Sequence, residues 1–461
     1  MPPVVVTRIR KPESLPQALP FQPGMIPDVE GVADFLRDYR ARAWEVYERF
    51  PLPTTADEAW RRTDIHGLAD LSLVPAFKPE QNSFFYSTQL QDKTVMSERL
   101  RGIPDDLLTP LTGESHGGQM ILTPSGAITS LDPALAAQGV IFTDLLTAEY
   151  KHPDILANIL GQVVRADEGK FAALAAALSI QGALVYVPHN VQVEQPLHSL
   201  LWGPGGGKAY FTHILVWVEE GGSLTYVHEA ASPTEEKASL HAGIVEIHMG
   251  QGANLHFVEL QSWGEHIWNF SHERARVSRD ANLDWIFGAV GSKLTKNFSE
   301  LDLVGDGATG RMSGFYFTDG SQHLDHDTQQ NHLAPHTTSD LLFKGALKDQ
   351  SRSVWQGMIY VAPEAMKTDG YQANRNLLLS SKARADSIPG LEILADDVRC
   401  THGATVGKID PEQVFYLRSR GIPYGEAERL IVEGFFDPIM QRIPFDGVRS
   451  RFQEAIEAKI R

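Results

Sequence analysis

One phrase recurs through the middle of this 461-residue chain: a turn pair followed by an alternating, strand-type run. It reads Gly221-Gly222-Ser223-Leu224-Thr225-Tyr226-Val227, then Gly252-Ala253-Asn254-Leu255-His256-Phe257-Val258, then Asp280-Ala281-Asn282-Leu283-Asp284-Trp285-Ile286. Looser echoes begin at Gly307, Gly345 and Gly403. Counted from Gly222, the first repeats start at 222, 252, 280 and 307, steps of 30, 28 and 27 residues. A strand-and-turn unit with a period of roughly 20–50 residues is the mark of a stacked repeat. No helical periodicity interrupts residues 182–408, which excludes strand–helix–strand winding. Tight hairpin pairs are scarce, which counts against a β-sandwich. The expectation is a mainly β protein built on a central parallel β-helix, a solenoid whose coils bury one continuous inner stripe. Helical parts flank it. The expected division is 1–165 (helical and mixed), 166–408 (β-helix core) and 409–461 (helical).

Composition narrows the function. The length exceeds what one compact core usually holds, unless the core is elongated. The net charge of −17 disfavours nucleic acid, whose non-specific affinity comes from Lys and Arg on phosphates. No apolar run is long enough to span a membrane. The N-terminus lacks the basic-then-apolar order of a secretory signal. The single cysteine, Cys400, makes no internal disulfide and excludes an all-cysteine metal site within one chain. A reducing, cytoplasmic setting is expected.

The flanks read as follows. Residues 1–27 are a proline-rich arm. From Asp28, as N-cap, Val32, Phe35, Leu36, Tyr39, Ala43, Val46, Tyr47 and Phe50 form one helical face that Pro51 ends. Trp60-Arg61-Arg62-Thr63 is either a binding patch or a Trp anchor packing a loop onto the core. Residues 70–143 are mixed strands and loops, and helices are expected over 143–162 and 167–180. At the other end Asp410 caps a helix with Pro411 at its first position and Gln413 completing a capping box. That helix ends at Gly421. A second covers 424–433 with Gly434 as its stop, and a third starts near Asp446.

Three stretches suggest chemistry. His323, His326, His332 and His336 supply metal-type ligands, but at spacings 3, 6 and 4 that match no common zinc signature; the alternative is coil-lining polar residues. Trp202-Gly203-Pro204-Gly205-Gly206-Gly207-Lys208-Ala209 fails as a phosphate loop, with Trp202 where a Gly is required and Ala209 where Ser or Thr is required. Cys400 and His402 stand two apart in an extended run, so their side chains share a face and can meet one ligand. Thiolate and imidazole both bind iron, with Asp396 and Asp397 near enough to tune the imidazole. Two ligands need a partner chain to complete a site. The alternative is a buried cysteine beside a hydrogen-bonded histidine.

The stretch Asp396–Ile422, DDVRCTHGATVGKIDPEQVFYLRSRGI, and its continuation EAERLIVEGFF at 426–436 resemble the SufB/SufD family of iron–sulfur cluster assembly scaffolds. Residues 170–198 resemble that family's entry into its β-helix, and Trp60–Thr63 its N-terminal Trp-x-x-Thr phrase. Thr401-His402-Gly403-Ala404-Thr405 replaces the Glu-His-Glu-Ala-Thr type phrase of SufB. Asn374, in Tyr371–Arg375, stands where SufB carries a functional cysteine. Both departures point to the SufD branch.

The resemblance implies a non-catalytic scaffold subunit that pairs with a SufB-like paralogue. It implies that a SufC-like ATPase binds the C-terminal helices, through Asp410, Phe415, Tyr416, Arg418, Arg420, Gly421 and Phe435. His402, with Cys400 beside it, would sit at the interface where a transient iron–sulfur cluster forms, His402 as a metal ligand shared with the partner. Other readings are a purely structural SufD-like scaffold, a β-helix carbohydrate-active enzyme, and, for the isolated chain, a homodimer that covers an exposed strand edge.

Overall fold

The computed structural model describes residues 19–76, 100, 102–108 and 116–460. The chain is a parallel β-solenoid with helices at both flanks. It alternates between two sheets. The first runs β4 (Ile141–Asp144), β5 (Gln181–Val187), β7 (Lys208–Val218), β9 (Ser239–Met249), β11 (Ile267–Val277), β13 (Leu294–Leu303), β15 (His323–His332), β17 (Arg352–Val361), β19 (Arg384–Ile393), with β1 (Val74–Pro75) added to β7. The second runs β3 (Gly126–Leu131), β2 (Gly118–Thr123), β6 (Leu197–Trp202), β8 (Ser223–Ala231), β10 (Asn254–Ser262), β12 (Asn282–Ala289), β14 (Thr309–Thr318), β16 (Thr338–Leu347), β18 (Asp369–Leu378), β20 (Arg399–Lys408). The parallel pairing rules out a sandwich of antiparallel hairpins.

The repeated turn pair has a physical cause. At one corner of each coil a residue takes the left-handed conformation: Asn190, Gly221, Gly252, Asp280, Gly307, His336 and Lys367. Each donates its N–H to a carbonyl of the next coil, as in Gly221 to Gln251 (2.9 Å), Gly252 to Arg279 (2.8 Å), His336 to Met366 (2.9 Å) and Lys367 to Asp397 (2.6 Å). The corner therefore carries its own hydrogen-bond ladder beside those of the sheets. Gly345 and Gly403 are not part of it: both lie inside strands, β16 and β20.

In-register pairing stacks like positions into columns. One side of the interior is apolar, with Val216, Ile247, Ala275 and Leu301 in line. The other is polar and hydrogen-bonded. His241 bonds Thr212 at 2.9 Å and Asn269 at 2.6 Å, Asn297 bonds Ser271 at 2.8 Å, and Asn376 bonds Asn374 at 2.6 Å. The pairing satisfies groups whose burial alone would cost about 1–3 kcal/mol each.

The helices are α1 (Asp34–Arg49), α2 (Asp105–Leu108), α3 (Pro133–Ala137), α4 (Leu145–Lys151), α5 (Pro153–Ile159), α6 (Lys170–Leu178), α7 (Pro411–Arg418), α8 (Tyr424–Met440) and α9 (Asp446–Ile460). Several boundaries differ from the sequence reading. α1 starts at Asp34, not after Asp28, because Gly31 turns the chain at φ 84° first. The expected 143–162 helix is two, broken where His152 precedes Pro153, since proline disfavours a helical residue before it. α8 passes through Gly434 and Pro438. Burial of Phe436, Ile439 and Met440 outweighs a propensity loss of about 1 kcal/mol for the glycine. Asp410 does cap α7, accepting from the Glu412 N–H at 2.9 Å. Of the arm, residues 1–18 lie outside the described residues. Leu19 and Phe21 are buried, Phe21 edge-on to Phe211 at 5.3 Å. Much of the 70–143 stretch, residues 77–99 and 109–115, also lies outside the described residues.

α6 and α1 pack on the outer face of the first sheet. α8 and α9 lie on the outer face of the second, over Val258, Ile286 and Phe315. Arg451 on α9 pairs with buried Glu229, and Arg442 with Asp284.

Candidate functional site

Among the described residues β20 is the last strand of the solenoid and pairs only with β18. Register sets Cys400 over Gly370, His402 over Gln372, Ala404 over Asn374 and Val406 over Asn376. Parallel partners point the same way, so these four belong to the inward column of a coil that no other coil of the described residues covers.

Cys400 is half-buried against Ile359, Val361, Ala365 and Ala395. Burial raises its thiol pKa, opposed in part by a hydrogen bond from the Gly370 backbone. A Cβ at Gly370 would stand 3.3 Å from Cys400 Sγ and 3.4 Å from His332 Nε2. The glycine thus leaves a space between thiol and imidazole that any side chain would fill. His402 is exposed at the open end. Asp397 is engaged by Lys367, and among the described residues neither Asp396 nor Asp397 bonds His402. The expected tuning of the imidazole by these carboxylates is absent from this arrangement.

Beneath His402, Gln372 is fully buried. Its Nε2 donates to the Gly390 carbonyl at 2.8 Å, while its Oε1 has no partner among the described residues. Asn374 is also fully buried and knots the last coils together. Its Nδ2 lies 3.3 Å from the Phe343 carbonyl, and its Oδ1 accepts from Asn376 and Ser387. Sequence reasoning singled out Asn374 but not Gln372; only the register reveals the latter as the floor under His402.

The four histidines of the 323–336 stretch diverge. His323 bonds Thr63 at 2.8 Å on the outer face. His326 is packed among Phe287, Tyr316 and Phe343 inside. His332 bonds Thr337 and Ser339, each at 2.8 Å. His336 is exposed at the corner beside Asp306 at 2.9 Å. Among the described residues no group of three or more His, Cys, Asp or Glu side chains is arranged to hold a metal ion. The Trp202–Ala209 glycines form the bend between β6 and β7, and no helix follows to bind an anion. Trp60 is an anchor: it is buried with ring centroids 5.7–6.0 Å from Phe171, Phe270 and Phe298, and Thr63 ties the same loop to Asp325.

α7 begins after two linker residues, Ile409 and Asp410. Val414 faces in. Phe415 and Tyr416 are 74% and 56% exposed, with the Arg420 guanidinium 3.7 Å from the Tyr416 ring centre. Arg418 is exposed as well, and Gly421 turns the chain at φ 86°. Phe435 is separate from this group: it is half-buried on α8, and its carbonyl accepts from Lys344 at 2.7 Å.

The open end itself is apolar. Leu391 and Ile393 on β19, Leu394 after it, and Val406 on β20 are 36–52% exposed.

The comparisons agree with this architecture. The family description "SUF system FeS cluster assembly, SufBD core domain" matches residues 201–435, and "SufBD protein N-terminal region" matches 127–198. The iron–sulfur cluster assembly protein SufD of Bacillus subtilis is 32% identical over 88% of this chain and 95% of its own length. SufB of the same organism is 29% identical over 89% and 86%. A SufBD family protein of Staphylococcus haemolyticus is 27% identical over 90% and 87%. No helix among the described residues is long and apolar enough to cross a membrane. This chain belongs to the SufBD family of iron–sulfur cluster assembly proteins and within it is most like SufD.

Proposed function

We propose that this chain is the SufD-like half of a two-chain scaffold, acting in the cytoplasm, on which an iron–sulfur cluster is built as cargo. The observation that carries the reading is the uncapped terminal coil: His402 and Cys400 lie on its inward column, beside strands β19 and β20 that each lack a partner on one side among the described residues. A SufB-like chain covers this end and supplies the remaining ligands. His402 is the ligand this chain contributes. Cys400, half-buried with a raised thiol pKa, is the weaker donor of the two at neutral pH.

A SufC-like ATPase binds the exposed face of α7, through Phe415, Tyr416, Arg418 and Arg420, with Asp410 and Gly421 fixing the helix ends and Phe435 holding α8 beneath. Nucleotide hydrolysis belongs to that partner; this chain is a scaffold. Only Ile409 and Asp410 separate α7 from β20, so a pull on α7 reaches the strand that carries His402. Closure of two ATPase subunits then shifts the two chains' terminal strands and opens the interface to iron and sulfur. This is a population shift between two arrangements.

The test is His402→Ala in the complex reconstituted with SufB-like and SufC-like chains. Cluster yield drops by roughly tenfold or more, since a lost metal ligand or its support typically costs about 10–100-fold. Co-purification of the three chains is unchanged. Full yield from the variant refutes a ligand role and leaves a purely structural subunit. A second copy of this chain is the other possible cap of the open end; sedimentation of the chain with and without the SufB-like partner distinguishes a homodimer.

A further inference from the structure

Far from the open end, the interior holds a cavity of about 30 Å³ between β7–β9–β11 and β8–β10–β12. That is room for one or two water molecules and too little for an organic ligand. Polar groups line it: His228, His241, Glu259, Asn269, Glu273 and Thr212. Glu259 on β10 and Glu273 on β11 face each other across it with their carboxyl groups in hydrogen-bond contact. Glu273 is further held by Asn297 Nδ2 at 2.5 Å and Ser299 Oγ at 3.0 Å. The Glu259 Oε2 atom is buried and has no partner in hydrogen-bond geometry among the described residues; the Trp285 indole N–H on β12, likewise without one, is close enough to the Glu259 carboxyl to lower its pKa in part. No cation is paired with either carboxylate among the described residues. The facing titratable groups are Tyr226 and His228 on β8, His241 on β9, and none on β12 or β13. Both imidazoles are committed. His228 Nδ1 bonds Ser199 at 2.8 Å, and His241 donates from Nδ1 to Asn269 Oδ1 and accepts at Nε2 from Thr212. Burial keeps them neutral, at about 3 and about 4.

Two carboxylates in contact in an interior cavity, without a counter-ion, cannot both ionise. We propose that Glu259 and Glu273 form a proton-sharing carboxyl pair whose cavity binds one or two ordered waters, the free Glu259 oxygen being their anchor. The pair keeps one proton on Glu259, which donates to Glu273. Glu273 stays ionised because Asn297 and Ser299 donate to it. Burial raises both groups above the ordinary carboxylate range, Glu259 further through the Glu273 charge. A raised acid takes up a proton on folding. Its contribution to stability is full below the ordinary carboxylate range and is lost as pH rises through the folded value.

The experiment uses the full chain and Glu259→Gln, which keeps the shape of the protonated acid. In the infrared spectrum near neutral pH the parent shows the carbonyl band of protonated carboxyl groups, and Glu259→Gln shows a weaker one, the remainder belonging to other raised carboxyls such as Glu168. Absence of the band in the parent, or an equal band in the variant, overturns the shared proton. Urea unfolding at a series of pH values reads the linkage. The parent's unfolding constant rises with pH more steeply than the variant's, by up to about tenfold per pH unit for one proton. Glu168 and Asp327, at about 7 and about 6, titrate alike in both proteins, so the difference isolates the pair. Superimposable slopes overturn the proposal. A high-resolution crystal structure of the parent, which does not depend on the variant folding, places water within hydrogen-bond reach of Glu259 Oε2; a dry cavity, or a metal ion in it, overturns the water site.

Discussion

The two ends of the solenoid are finished in opposite ways. At the N-terminal end the sheets leave the parallel pattern: β3 runs antiparallel to β2, and β4 antiparallel to β5. The loop and helix between β3 and β4 fold Leu135 over the interior, and Met120, Leu122 and Phe142 are almost wholly buried beneath. At the C-terminal end the parallel pattern simply stops, and the equivalent inward positions, Ile393 and Val406, are 39% and 44% exposed. A parallel stack grows by adding coils, so an end that no antiparallel strand or helix of the described residues caps leaves strand edges and apolar positions open. That open end is what the proposed pairing rests on.

Two substitutions separate the ends, and a third probes the corner between them. Phe142→Ala, at the capped end, is the most damaging. It opens a cavity in a packed interior and lowers unfolding free energy by about 3–5 kcal/mol in urea titration of the isolated chain. A loss below about 1 kcal/mol shows the cap to be ornamental. Val406→Asp, at the open end, leaves the isolated chain within about 0.5 kcal/mol of the parent, as surface changes do. It weakens association with the SufB-like chain by about 2 kcal/mol, roughly 30-fold, measured by calorimetry, because the charge is buried unpaired on pairing. Unchanged association moves the pairing surface elsewhere. The smallest effect belongs to neither end. Gly252→Ala meets no atom within 4 Å, so only its left-handed backbone, at φ 65°, resists the change. The cost is about 1 kcal/mol by thermal or chemical unfolding.

The repeat was readable from residues because Gly, Gly and Asp occupy three successive corners, each a residue type that tolerates the left-handed region. It faded after Gly307 because His336 and Lys367 hold the next corners, and neither marks a left-handed turn as plainly as glycine does. The surrounding ladder of hydrogen bonds forces it. Gly345 and Gly403 misled for the same reason, being mid-strand glycines required by neighbouring side chains or by none. The C-terminal caps were readable at Asp410-Pro411, where local chemistry decides. They were not at Gly434, where packing on the solenoid decides. At the site, Cys400 and His402 could be paired from strand alternation alone. That Gln372 lies under one and His332 beside the other depends on register across coils some 30 residues apart, which no local pattern records.

The corner ladder also governs how such a chain can change in length. Its left-handed residues stand at 190, 221, 252, 280, 307, 336 and 367, so coils differ in length while this corner stays aligned. The left-handed residue stands two positions before the next strand of the second sheet, from Gly221 before Ser223 to Lys367 before Asp369, while the turn ahead of it stretches from four residues, 219–222, to seven, 362–368. The turns at the opposite edge vary as much, from seven residues, 232–238, to four, 319–322. The fixed datum is therefore one step per coil, the left-handed entry into the second sheet. Evolution, or an engineer adding a tag, can write into either turn one residue at a time so long as that step is kept.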